Sequence, residues 1–471
     1  MESDLPFRSL TALSRLLATR ATSSREIVKA CLARIETYDR KLHAFVEVYA
    51  DAALAAADAA DLERRAGLTR GPLHGLPIAV KDLLHLKGRA TGAGSKSWTG
   101  RIADHTATAL ERLLAAGMIP LGKTHMVEFA FGGWGRNQPM GAPWNPWDPQ
   151  VHRVAGGSSS GSAVAVAGGL APAALGSDTG GSVRIPASLC GLTGLKTTYG
   201  LVSLYGTVPL SITLDSLGPL THTVEDAALL TEAMAGPDPR DDATLNAPRC
   251  DFARVLTEEP DLSGMRIAAQ SAEQFPAYIE DDVLQTHRDA MRVLRDLGAQ
   301  VTEVHMPLDF ADLMLRNGRL IAAEAYAVHR GYIEDASLPI DPWVRKRVLS
   351  GKAIGAADYI DELMERKTAA AEFAAWMRDR DALLTPTLPI TARPVEEVDE
   401  ATTPLAAFTR AVNYLGACAL SLPAGLSKQG LPIGVQLTAA PFREDVLIAI
   451  GRGFQRATDW HQRRPPPATS A

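Results

Sequence analysis

Two serines in glycine-rich surroundings and one lysine supply the residue types that nucleophilic catalysis needs. Ser158 lies in the run GGSSSG at 156–161, and Ser182 ends the run DTGGS at 178–182. Lys81 ends a short apolar run upstream of both. Glycine lets backbone N–H groups approach a substrate oxygen closely. These residues therefore predict nucleophilic catalysis on a serine without the help of a histidine.

Lys81 is our candidate base, provided that the fold buries it. A free lysine has a pKa of about 10.4 and is protonated at neutral pH. Burial disfavours the charged form and lowers the pKa. Neutral Lys81 could then accept a proton from a serine hydroxyl. A lone lysine at the end of a strand is more often a surface residue, so only the combination favours catalysis.

The turn 179–182 could supply the donors that stabilise a reacting oxyanion. Its glycines allow several backbone N–H groups to converge on one point, as in an oxyanion hole. A phosphate-binding turn or a plain turn would use the same residue types. The tetrapeptide alone leaves these alternatives open.

The stretch 154–196 as a whole resembles the signature of the amidase signature family, serine hydrolases that cleave amide bonds with a Ser–cis-Ser–Lys triad. The likeness includes both glycine-framed serines and the lysine that precedes them. It continues in four segments outside the signature: 145–148, 214–219, 223–227 and 431–437. The region 241–380 is the least similar to the family.

The resemblance implies a role for each residue of the site. It makes Ser182 the nucleophile, Ser158 the relay after a cis peptide bond with Gly157, and Lys81 the base. It implies an oxyanion hole formed by the backbone N–H groups of Thr179, Gly180, Gly181 and Ser182. It gives supporting roles to Ser159, Asp178 and Arg184. We expect the last two to form a structural ion pair or hydrogen-bond network.

The substrate pocket is less sharply defined by the sequence. We expect the loop 126–137 to line it, together with parts of the variable region from Phe310 onward. The candidate lining residues are Met126, Phe129, Phe131, Gly132, Trp134 and Asn137. The aromatic rings among them favour an apolar or aromatic substrate group. The same residues could equally be ordinary core.

The resemblance also implies an α/β fold of the amidase-signature type, with a mixed central β-sheet covered by helices on both faces. We expect a single amidase domain over residues 1–471. Its parts are a signature core at about 70–236, a variable helical region on the substrate side at about 263–380, a return to the core at 381–462 and a flexible tail at 463–471.

Local patterns agree with this organisation. Ser23 and Glu26 form a capping box in front of a helical apolar stripe. Short apolar runs predict a strand that ends near Lys81 and another at 118–121, with a helix at 106–116 between them. Alternation of helix and strand is typical of an α/β sheet. The second half is expected to contain a loop at 237–262, helices at 282–297, 310–329 and 356–378, and strands at 381–384, 419–422 and 432–437.

Composition excludes several other classes of protein. The net charge is −6 and no long basic run occurs, so neither nucleic acid nor a membrane surface is an expected partner. No segment has the length and hydropathy of a membrane span, and no signal segment begins the chain, so we expect a cytoplasmic protein. The four cysteines are scattered and the histidines lack ligand spacing, so we expect no metal and no cofactor. A homodimer remains open.

Three rival interpretations compete with the triad. GSSSG at 157–161 matches the nucleophile elbow of α/β-hydrolases, which would make Ser159 the nucleophile of an esterase. The candidate histidines for such an enzyme are His222, His305, His329 and His461. A nucleotide-binding loop fails because Gly161 is not followed by Lys-Ser or Lys-Thr. A scaffold without activity is disfavoured because all three triad positions are filled.

The family member that amidates misacylated tRNA is the main alternative within the family. That enzyme usually carries glutamine after the arginine of the nucleophile turn, where this chain has Ile185. The loop 131–137 also looks unlike it. Both features disfavour an amidotransferase-type subunit that acts in a complex, without removing it from consideration.

We therefore predict a hydrolase that cleaves a carboxylic amide C–N bond through an acyl-enzyme on Ser182. Its substrate is expected to be a small molecule. Esters and carbamates (urethanes) undergo the same acyl chemistry, so aryl amides, esters and urethanes all remain candidate substrates.

Overall fold

An eleven-stranded mixed β-sheet forms the centre of the computed structural model, which describes residues 2–401 and 405–466. The order across the sheet is β1-β3-β2-β4-β6-β5-β10-β11-β9-β7-β8. The strands are β1 (Phe45–Val48), β2 (Pro77–Lys81), β3 (Ile119–Thr124), β4 (Ala173–Asp178), β5 (Thr193–Lys196), β6 (Ser216–Thr221), β7 (Arg266–Gln270), β8 (Gln300–Val304), β9 (Ala382–Pro386), β10 (Cys418–Leu426) and β11 (Pro432–Ala439).

Fourteen α-helices accompany the sheet in the described part of the chain. They are α1 (Leu10–Ala18), α2 (Ser24–Leu42), α3 (Ala50–Arg65), α4 (Thr108–Ala115), α5 (Ser160–Ala167), α6 (Arg184–Cys190), α7 (Val224–Met234), α8 (Ala253–Thr257), α9 (Asp281–Asp296), α10 (Phe310–His329), α11 (Pro342–Ser350), α12 (Ala356–Trp376), α13 (Arg410–Tyr414) and α14 (Glu444–Ala457).

The pairing of the strands confirms the predicted α/β class. β2 runs parallel to β3 and to β4, and β7 runs parallel to β8 and β9, whereas the remaining neighbours are antiparallel. Every residue of β2, β4, β6 and β9 is buried. Because successive side chains of a strand point to opposite faces, both faces of this part of the sheet are covered.

Several helix starts follow from local sequence. Ser23 caps α2, and Glu26 completes the capping box with the backbone of Ser23. Thr223 caps α7 by accepting a hydrogen bond from Asp226 N–H. Among the described residues, no helix combines the length and the apolar character that a membrane crossing requires.

The region expected to be mainly helical also contains two strands. β7 and β8 lie between residues 263 and 305 and pair in parallel at one edge of the sheet. The expected loop 237–262 includes the short helix α8. The predicted flexible tail reaches positions 467–471, which lie outside the described residues.

Candidate active site

Lys81 stands at the carboxyl end of β2, where the parallel neighbour β4 also ends. Its side chain is buried, and Nζ lies 2.8 Å from Ser158 Oγ, 2.9 Å from Ser159 Oγ and 2.8 Å from Ser177 Oγ. The ends of parallel strands share one sheet edge, so β4 delivers Ser177 to the same place as Lys81. Within the part of the chain that the structure describes, the lysine thus hydrogen-bonds to hydroxyl groups and not to carboxylates.

This environment changes the protonation of Lys81. Burial lowers the pKa of Lys81 to about 7, and the more distant charges of Asp178 and Asp215 oppose that shift only in part. Desolvation is the dominant cause because it penalises the ammonium form. Near neutral pH a substantial fraction of Lys81 is therefore an uncharged amine that can accept a proton.

The serine run lies between Lys81 and the turn 179–182. The peptide bond between Gly157 and Ser158 is cis, as the family resemblance implied. Ser159 N–H donates to the carbonyl oxygen of Ser182 at 3.3 Å, so the two serine motifs lie side by side. Ser182 is mostly buried, at 7% exposure, and its Oγ makes no hydrogen bond within the described residues. That hydroxyl is free to meet a substrate.

An ion pair braces the turn that carries Ser182. Asp178 Oδ2 accepts from Arg184 Nε at 3.0 Å, and Oδ1 accepts from Arg184 Nη2 at 2.9 Å. Asn413 Nδ2 donates to the same Oδ1 at 2.9 Å. Burial alone would raise the pKa of Asp178, but the charge and hydrogen bonds of Arg184 bring it below its ordinary value. The carboxylate therefore stays ionised and fixes both ends of the turn.

The candidate oxyanion donors fall into two groups. Gly181 N–H donates to Asp178 Oδ1 at 2.8 Å, so this donor is engaged in bracing the turn. Gly181 also has φ +124°, and a Cβ there would stand 2.3 Å from Thr409 Oγ1, so only glycine fits. Within the described residues the N–H groups of Thr179, Gly180 and Ser182 have no acceptor. These three remain the candidates for a substrate oxyanion.

A small pocket opens beside Ser182. Its wall includes Phe131, Gly132, Gly180, Ser182, Ile321 and Arg410. Of the six residues expected from the loop 126–137, only Phe131 and Gly132 line it. The other four are buried in the protein interior: Met126, Phe129, Trp134 and Asn137.

Those interior residues have clear packing roles. Phe129 stacks on His329 with ring centroids 4.4 Å apart. Asn137 Nδ2 donates to the carbonyl oxygens of Gly94 and Met126 at 2.7 and 3.1 Å. Trp134 belongs to a separate apolar cluster. The contacts of these four residues agree with the alternative interpretation, in which they are ordinary core.

Ser159 has the surroundings of a supporting residue. Its Oγ lies beside Lys81 Nζ and accepts a hydrogen bond from Ser177 N–H at 3.3 Å. No histidine among the described residues hydrogen-bonds to it. His329, one of the histidines considered for an esterase, instead contacts Tyr332. Within the described residues the nucleophile-elbow interpretation thus has no histidine in hydrogen-bond contact with Ser159.

Sequence reasoning missed two residues of the site. Ser177 supplies the third hydroxyl that contacts Lys81. Its place directly before Asp178, at the start of the second serine motif, is the sequence feature that could have indicated this contact. Arg410 reaches the pocket from the far end of the chain, because Thr409 Oγ1 donates to the carbonyl of Gly180 over a separation of 229 residues. No local pattern around Arg410 indicates this approach.

Comparison with known proteins places this fold in one class. A solved inhibitor-bound complex, described as a vestigial protein complex that reveals the origins of an s-triazine catabolic enzyme, superposes with TM-score 0.89 at 33% identity, covering 95% of this chain and 98% of that one. The native peptide amidase of Stenotrophomonas maltophilia superposes with TM-score 0.84 at 30% identity, covering 98% of both chains. The architecture is that of amidase-signature enzymes.

The sequence comparisons agree. The profile of the Amidase family matches residues 26–448. A Glutamyl-tRNA(Gln) amidotransferase subunit from Chloroflexus aggregans is 39% identical, over 98% of this chain and 99% of the relative. This chain belongs to the amidase signature family and is an enzyme of that family, acting on amide C–N bonds.

Proposed function

We propose that this chain hydrolyses a carboxylic amide through an acyl-enzyme on Ser182, with Ser158 as proton relay and Lys81 as base. The observation that carries the proposal is the buried Lys81, whose Nζ lies 2.8 Å from Ser158 Oγ and whose pKa is lowered to about 7. An uncharged amine in contact with a serine hydroxyl can serve as a general base near neutral pH.

The acylation step follows from that arrangement. Ser182 Oγ attacks the carbonyl carbon while its proton passes to Ser158, whose own proton passes to Lys81. The new oxyanion accepts hydrogen bonds from the free N–H groups of the turn 179–182. Lys81, now an ammonium, returns the proton through Ser158 to the leaving nitrogen. The C–N bond breaks and the amine departs.

Deacylation repeats the sequence with water as nucleophile. Water attacks the ester carbonyl of acylated Ser182 and gives its proton through Ser158 to neutral Lys81. Collapse of the second oxyanion breaks the ester bond, and the returned proton regenerates the Ser182 hydroxyl. The products are a carboxylic acid and an amine, and the enzyme ends as it began.

The substrate range of the proposal is open to a direct test. We would assay anilides, primary amides, esters and carbamates with wild type and with Ser182→Ala, using Ser159→Ala as the matched control. Hydrolysis of at least one amide that falls about 10⁴-fold or more in Ser182→Ala and survives in Ser159→Ala supports the proposal. Full activity in Ser182→Ala refutes it.

An amidotransferase-type subunit is the second candidate function. The 39% identity to a Glutamyl-tRNA(Gln) amidotransferase subunit over nearly the whole chain favours it. Such a protein would use the same acyl chemistry but would act within a complex. An isolated chain that hydrolyses no amide, although a sulfonyl fluoride labels Ser182, supports this candidate. Efficient turnover by the isolated chain supports the hydrolase.

A further inference from the structure

Arg410 is a partly buried cation on the wall of the pocket that contains Ser182. Within the described residues its guanidinium makes no hydrogen bond and no ion pair. Burial lowers the pKa of Arg410, and no acidic group offsets the shift. A charge left unpaired in a protein interior is costly, so a ligand that pairs with Arg410 would remove that cost.

The other arginine in this region is already neutralised. Arg347 Nη1 donates to the carbonyl oxygen of Phe131 at 2.7 Å, and Nη2 pairs with Glu400. Burial, and then the charge of Arg410, lower the pKa of Arg347 to about 10. Because Glu400 pairs with Arg347, it does not compensate the positive charge of Arg410.

A second side chain at the same place lacks its partners. Asn317 on α10 is fully buried, yet neither its Oδ1 nor its Nδ2 has a hydrogen-bond partner within the described residues. A Cβ placed on Gly180 would stand 3.3 Å from Asn317 Oδ1 and 3.0 Å from Arg410 Cγ. Both side chains therefore lie against the turn that carries Ser182. Buried amides with no partner are rare in proteins.

We propose that Arg410 and Asn317 bind a carboxylate of the substrate, so that the amide cleaved at Ser182 bears a negative charge in its acyl half or its amine half. A guanidinium matches a carboxylate with two parallel N–H donors, and an asparagine amide adds a third. The inference rests on the proposed function for the position of the reacting carbonyl. The binding of an anion does not depend on turnover and can be tested separately.

The kinetic test uses two matched pairs of amides. Glutaramate is compared with 5-methylhexanamide, and N-butanoylglycine with N-isobutylbutanamide, each in wild type, Arg410→Met and Arg410→Lys. We expect the charged member of at least one pair to have a kcat/KM about tenfold or more above its neutral partner. Arg410→Met should abolish that preference, so that its loss of kcat/KM on the charged amide exceeds its loss on the neutral partner by about tenfold or more, and Arg410→Lys should retain part of the preference. A preference for the neutral amide in both pairs overturns the inference. So does a preference for the charged amide that survives in Arg410→Met.

An equilibrium measurement separates this inference from the proposed function. Glutarate is titrated calorimetrically into Ser182→Ala and into Ser182→Ala combined with Arg410→Met. We expect glutarate to bind the first protein and to bind the second about tenfold or more weakly. Absence of binding to Ser182→Ala overturns the inference even if neutral amides are hydrolysed. Binding that requires Arg410 supports it even if no amide is hydrolysed.

Thermal unfolding distinguishes a binding residue from a structural one. Arg410→Met removes an unpaired charge, so its Tm should equal or exceed that of wild type. Arg288→Met, on the exposed face of α9, is the control for loss of one positive charge. It should leave both the kinetic preference and glutarate binding unchanged. A lower Tm in Arg410→Met together with equal losses on charged and neutral amides would indicate a structural role and overturn the inference.

Discussion

At the scale of single residues, burial favours the uncharged form of Lys81, which is the form that the proposed base requires. Among the described residues no carboxylate forms an ion pair with this lysine, and its hydrogen-bond partners are three serine hydroxyls. A hydroxyl can hydrogen-bond to the neutral amine, but unlike a carboxylate it carries no negative charge that would favour the ammonium form. Desolvation therefore dominates the pKa of Lys81. The same residue can then take a proton in one step and return it in the next.

The pH dependence of turnover follows from the lowered pKa of Lys81. The proposed mechanism needs the neutral amine, which predominates above a pH of about 7. We expect kcat for a neutral amide to fall about tenfold per pH unit below that value and to level off above about pH 8. Steady-state assays from pH 5 to 9 measure this, with circular dichroism at each pH to confirm that the protein stays folded. A flat profile would rule out titration of Lys81.

At the scale of elements, the turn between β4 and α6 is held by the Asp178–Arg184 pair. Both side chains are fully buried. Replacing one partner leaves the other charge unpaired in the interior, which costs about 3–5 kcal/mol. We therefore expect Arg184→Met to lower the free energy of unfolding by that amount and to reduce kcat through distortion of the turn. Urea denaturation measures the first and the amide assay the second.

An exposed pair provides the control for that prediction. Arg254 and Glu258 lie four residues apart on the surface, at 84% and 59% side-chain exposure. Arg254→Met should cost less than about 1 kcal/mol, since solvent screens surface pairs. If both substitutions had equally small effects, the buried pair would not brace the turn.

A substitution at Gly181 tests the same turn, because only glycine fits its backbone conformation and its close contacts. Gly181→Ala would place a Cβ 2.3 Å from Thr409 Oγ1 at φ +124°. We expect a loss of about 3 kcal/mol in unfolding free energy and a marked drop in kcat, since strain and overpacking add. Gly71 also has a positive φ, +113°, but no atom lies within 4 Å of a Cβ placed there. Gly71→Ala therefore measures the cost of the backbone conformation alone. It should lose about 1–2 kcal/mol and keep its activity. Equal losses in the two variants would contradict the steric argument.

At the scale of the whole molecule, the sequence predicted what local chemistry or a contiguous motif determines. The capping box at Ser23 is a four-residue signal, and it forms as expected. The amidase family and the α/β class rest on the contiguous stretch 154–196, and both are confirmed. β7 and β8 were not predicted. β7 (RIAAQ) has only three apolar residues between two polar ones, and β8 (QVTEV) is largely exposed at the sheet edge.

The site was only partly predictable for the same physical reason. Lys81, Ser158 and Ser182 stand in recognisable motifs. Arg410 instead reaches the pocket, and Asn317 reaches the turn behind it, through long-range packing against Gly180. Aromatic residues in the loop 126–137 suggested a pocket, but Met126 and Phe129 fill the interior instead. A sequence pattern indicates that a side chain is buried, but not whether it contacts core or ligand.

Every residue of the proposed triad comes from one chain, so acylation should require no partner. The most direct test treats the isolated protein with phenylmethanesulfonyl fluoride at pH 8 and maps the modified peptide by mass spectrometry. The account predicts one sulfonyl group on Ser182, none on Ser182→Ala, and slower labelling at pH 6, where Lys81 is protonated. Modification of Ser159, or equal labelling of Ser182→Ala, would contradict it.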